Sequence, residues 1–69
     1  MCLSTVYIQS GDRRIKVMQD VAQMEYNQEG YLLIGLLGDQ KFLKGRIKSV
    51  DFVDDHTVVL EKEEKGGNK

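Results

Sequence analysis

The chain has 69 residues, 41% of them apolar, with 10 basic and 11 acidic side chains and a formal net charge of −1. That length allows one domain whose core is worth only about 3–5 kcal/mol, so a partner chain or a bound metal is the expected supplement. One cysteine excludes an internal disulfide and a Cys-x-x-Cys zinc site, and near-neutral charge gives no general pull toward nucleic acid or anionic lipid. The opening residues lack the basic, apolar and small-residue zones of a signal peptide. The longest apolar stretch, Leu32 to Leu37, is too short to cross a bilayer. A cytoplasmic protein with a reduced thiol and no membrane contact is the expectation.

In chain order, Thr5-Val6-Tyr7-Ile8 is β-branched and aromatic, and Ser10-Gly11-Asp12 is a turn signal. Arg13 to Val17 then alternates, with Ile15 and Val17 on one side and Arg14 and Lys16 on the other, which completes a hairpin. The next segment fits two patterns: Val17, Val21 and Met24 have helical spacing, whereas Ala22, Met24 and Tyr26 have strand spacing. A strand is the favoured reading, because Asn27-Gln28-Glu29-Gly30 turns the chain too soon for a stable helix; one helical turn around 18–22 stays open.

Tyr31 to Leu37 is apolar at nearly every position. A strand apolar on both sides needs two covers, the core and something else, and a second subunit is the natural candidate. Gly38-Asp39 turns into Gln40-Lys41-Phe42-Leu43. Beyond Gly45, Ile47 and then Val50 and Phe52 hold opposite parities, which a bulge near Ser49 explains. Asp54-Asp55 turns again before Thr57-Val58-Val59-Leu60. The expected fold is all-β: a small barrel-like or two-sheet domain of about six short strands over residues 1–61, with little or no helix, followed by a disordered charged tail at 62–69. Val6, Ile8, Ile15, Val17, Ile47, Val50, Phe52, Val58 and Leu60 are the expected core.

No phosphate-binding, dinucleotide or metalloprotease motif is present. Cys2 and His56 are the only cysteine and histidine, and a nucleophile at a chain end is poorly positioned, so no catalytic residue is assigned. His56 and Asp54-Asp55 read first as turn residues and second as metal ligands. Lys41, Lys44, Arg46 and Lys48, with Phe42 interleaved, outline an alternative RNA-binding surface, against a plainer reading as solvated strand charges.

Cys2 has two readings as well. It shares strand parity with Val6 and Ile8 and fits a small buried hydrophobe. It also stands directly after Met1. Trimming of the initiator would leave a thiolate and a free amine on adjacent carbons, a five-membered chelate suited to Ni(II) or Cu(II).

Four stretches together resemble one family: "MCLSTVY" at the start, "DVAQME" at Asp20–Glu25, "LLGDQKFLKGRIKSVDF" at Leu36–Phe52 and "HTVVLEKEE" from His56. In order and spacing they resemble the CooT family of small nickel-binding proteins, also catalogued as predicted RNA-binding proteins. The resemblance implies an all-β homodimer that binds Ni(II), with the cysteine behind the initiator methionine, here Cys2, as the metal-binding residue. Some family members are associated with nickel delivery to carbon monoxide dehydrogenase. The expected function is therefore a non-enzymatic nickel chaperone or sensor; RNA binding through Lys41, Phe42, Lys44, Arg46 and Lys48 is the alternative.

Overall fold

The computed structural model describes residues 3–62. Six strands follow in order: β1 (Ser4–Ser10), β2 (Arg13–Asn27), β3 (Gly30–Gly35), β4 (Gln40–Lys44), β5 (Arg46–Asp51) and β6 (Thr57–Glu61). They form one sheet in the order β4-β3-β2-β1-β6-β5, antiparallel except where β1 and β6 run parallel. The all-β expectation holds. Of the expected tail, only Lys62 is among the described residues; its amide donates to the Gln9 carbonyl at 3.1 Å.

β4 and β5 are the two outer strands, yet one residue, Gly45, joins them. A single residue spans no more than about 7 Å between its flanking Cα atoms, so the sheet must curl until its edges meet at that corner. The corner demands glycine. Gly45 has φ 153°, and a Cβ there would stand 2.7 Å from the Glu61 carbonyl oxygen.

β2 makes the curl. Its residues drift against β1, from Ser4↔Val21 to Val6↔Met18 to Tyr7↔Lys16, so β2 holds one extra residue in each interval. A third extra residue lies between the pairs Val21↔Gly35 and Gln23↔Ile34. Each bulge bends the strand and adds twist, and Asp20, between the paired residues Met18 and Val21, takes φ 57°. The bulges also explain the helix-like spacing of Val17, Val21 and Met24: Val21 is in the core and Val17 and Met24 pack against it, with Met18 turned inward beside them. The segment is strand throughout.

Val6, Met18, Val21, Leu33 and Leu60 form the buried core, with Ile8, Val17, Met24, Tyr31, Leu43 and Val58 packed around it. Every strand contributes except β5. Ile15, Ile47, Val50 and Phe52, expected inside, are exposed. Ile47 and Val50 pair with Leu60 and Val58, but they lie on an outer strand, and among the described residues only β6 packs extensively against it. The predicted bulge of β5 is present, with Lys48 as the extra residue between Ile47↔Leu60 and Ser49↔Val59. Among the described residues, no helix is long and apolar enough to cross a membrane.

Candidate functional site

β1 lies between β2 and β6, so its start is held on both sides. Ser4 faces Val21, and Val21 faces Gly35. The β3–β4 turn is tied to the same row: the Leu36 amide donates to the Asp20 carbonyl at 3.0 Å, and the Gly35 amide to the Asp39 carbonyl at 2.8 Å. On the other side, the Thr5 amide donates to the His56 carbonyl at 3.0 Å. The turn at 36–39 and the loop at 52–56 therefore flank the beginning of β1.

Both loops expose apolar side chains. Leu37 is 93% exposed, Phe52 78% and Val53 81%, and Leu36 is also exposed. The expected strand Tyr31–Leu37 ends at Gly35, so its last two leucines belong to the turn. Within the strand, Leu33 is fully buried, whereas Leu32 and Ile34 are half-buried on the opposite side. Leu32 shares that side with Phe42.

The loop at 52–56 is organised by one carboxylate. Asp51 Oδ1 accepts the amides of Val53 at 2.9 Å and Asp54 at 3.0 Å. These backbone hydrogen bonds hold the Asp51 carboxyl below its ordinary pKa, because they favour the charged form; the nearby His56 adds a smaller pull in the same direction. His56 is half-buried at φ 49°, a conformation that turns the chain into β6. Among the described residues, no group of three or more His, Cys, Asp or Glu side chains is placed to hold a metal ion. Cys2, the ligand expected from the sequence, lies outside the described residues.

The alternative basic surface is divided. Lys41 and Phe42, on β4, pair with Leu33 and Leu32 and so project to opposite sides of the sheet. Lys41 reaches the Val17 carbonyl at 3.5 Å. Lys44 pairs with Glu29 and Arg46 with Glu61, each at 3.5 Å. Such exposed pairs are worth at most about 1 kcal/mol, but they balance local charge. All four cations lie on the two outer strands, where charged side chains discourage strand addition by another molecule.

The family model described as "CO dehydrogenase accessory protein CooT" matches residues 1–61. No curated protein matches the chain. Among solved structures, a protein assigned as CooT from Carboxydothermus hydrogenoformans is similar, with a TM-score of 0.83 and 32% sequence identity. The likeness covers 91% of this chain and 100% of that one.

Proposed function

Because this chain belongs to the CooT family of carbon monoxide dehydrogenase accessory proteins, we propose that it is a nickel chaperone or sensor that takes up Ni(II) through the Cys2 thiolate. The observation that carries this reading is the family match, which begins at residue 1 and so includes the cysteine. The role is non-catalytic and cytoplasmic. Nickel is the cargo, and a nickel-dependent enzyme such as carbon monoxide dehydrogenase is the recipient.

A thiolate is the soft donor that favours late divalent metals over Mg²⁺ or Ca²⁺. One thiolate is a weak site by itself. A homodimer answers that shortage by bringing two Cys2 residues to one axis. Support for such a dimer comes from the exposed Leu36 and Leu37, whose turn is bonded to Asp20 beside the row that begins at Ser4. Covering those leucines with a second copy would bring two β1 strands together at their starts.

Transfer tests the role. Ni(II)-loaded protein is incubated with nickel-free carbon monoxide dehydrogenase and a chelator that captures free metal. Recovery of enzyme activity by the wild type but not by Cys2→Ala is expected. Equal recovery with Cys2→Ala, or with free nickel under the same chelator, would contradict it.

A further inference from the structure

One groove of the molecule has no part in the nickel reading. It has a volume of about 510 Å³ and is lined by Thr5, Tyr7, Arg14, Ser49, Asp51, Asp55, Thr57 and Val59. The strand registers show how it is built. Thr5 pairs with Thr57 and Thr57 with Asp51; Tyr7 pairs with Val59 and Val59 with Ser49. These two rows cross β1, β6 and β5 on the side of the sheet opposite Val6 and Leu60. Val59, in the centre, is only 1% exposed, so the surrounding side chains close over an apolar floor.

Charge is separated along the groove. Asp51 and Asp55 are at the β5 end, beside the loop that Asp51 holds through Val53 and Asp54. Arg14 is on β2, at the other end, and its Nη2 donates to Gln9 Oε1 at 3.4 Å. Between them stand the hydroxyls of Thr5, Tyr7, Ser49 and Thr57. The volume lies within the range of ordinary small-molecule sites, but those are mostly apolar. This lining selects a polar ligand with a cation at one end and an anion at the other.

Length narrows the class. β2 and β5 are three strand spacings apart in the sheet order, roughly 14 Å at about 4.8 Å each. Arg14, opposite Gln9, is displaced along β1 from the Thr5 row that ends at Asp51 by roughly 13 Å at about 3.3 Å per residue, so the two backbones stand roughly 20 Å apart. An α-amino acid carries its two charges on neighbouring carbons and is too short, even after Arg14 has reached inward. A peptide of two or three residues, extending about 3.3–3.6 Å per residue, fills what remains. We propose that this groove binds a short zwitterionic peptide. Its terminal ammonium meets Asp51 and Asp55, its carboxylate meets Arg14, and its amides meet the hydroxyls. The proposal does not rest on nickel binding.

Triglycine tests it, because it has both termini and no side chain. Metal-free protein is titrated with triglycine while backbone amide resonances are followed by NMR. Saturable shifts at Thr5, Tyr7, Ser49 and Thr57, with a Kd in the millimolar range, are expected. N-acetyl-triglycine lacks the ammonium and triglycinamide lacks the carboxylate; each should bind at least about tenfold more weakly. Arg14→Gln and Asp55→Asn should weaken triglycine by a similar factor, with the rest of the spectrum preserved, and Cys2→Ala should bind it unchanged. Absence of saturable shifts, shifts centred elsewhere, equal binding of the end-blocked peptides, or glycine binding as well as triglycine would each overturn the proposal. Loss of nickel binding in Cys2→Ala with triglycine binding intact keeps the two readings separate.

Discussion

At Gly45 a single residue carries the chain from one edge of the sheet to the other, at φ 153° and with the Glu61 carbonyl where a Cβ would stand. Gly45→Ala should therefore cost more than about 1 kcal/mol, the usual penalty where the native backbone rejects a side chain. Chemical denaturation measures it, and an unchanged midpoint would contradict the closure. Asp51 acts at the same scale. Its carboxyl is held below the ordinary aspartate value of 3.8 by the Val53 and Asp54 amides. The order it gives the loop is complete above that value and is lost as pH falls through the depressed folded pKa. In an NMR titration, the Val53 and Asp54 amides should shift together with a midpoint below 3.8; a midpoint at or above it would contradict the arrangement. For Cys2, nickel must displace a thiol proton. Apparent Ni(II) affinity should fall about tenfold per pH unit for each thiolate on the ion, and so about a hundredfold where two Cys2 share it, below a thiol pKa near 8.5, and a flat profile would argue against thiolate ligation.

Elements were legible to the extent that alternation and turn residues are local signals. The hairpin of β1 and β2, the turns at Gly11 and Gly38, and the bulge of β5 all follow from side-chain chemistry within a few residues. The bent middle of β2 was harder. Three extra residues break its parity, and a broken period of two near bends imitates a helical stripe. Which strands would lie outermost is not written locally at all. Ile47 and Val50 read as core by alternation, and they are exposed because β5 has no further neighbour in the sheet. β3 is the opposite case: Leu33, from an apolar run, is completely buried between β2 and β4. Leu33→Ala should cost about 2–5 kcal/mol, comparable with the whole core of so small a domain. Far-UV circular dichroism at 25 °C should find that variant substantially unfolded; a cooperative transition like the wild type's would contradict the central place given to Leu33.

For the whole molecule, the sequence carried the family through short motifs spread over the chain, and through that resemblance the expectation, carried into the proposal, that Cys2 binds the metal. The groove lined by Arg14, Asp51 and Asp55 was invisible, because its parts come from four strands and the loop before β6 and meet only through the pairing order of the sheet. The basic segment 41–48 was visible as charge, but its division between two outer strands was not. Association belongs to this scale as well. Leu37→Asp places a charge on the most exposed leucine of the turn and should leave the fold intact. Sedimentation should find a dimer for the wild type and a monomer for the variant. A wild-type monomer at all concentrations, or a dimer indifferent to Leu37→Asp, would exclude this surface.

Ni(II) titration of reduced, tag-free protein beside Cys2→Ala tests nickel uptake most directly, followed by thiolate-to-nickel charge-transfer absorbance and by native mass spectrometry. A band that saturates at a fixed metal-to-protein ratio in the wild type and is absent from Cys2→Ala is the predicted result. Binding of equal strength and stoichiometry by both proteins, or no band in either, would contradict nickel uptake through Cys2.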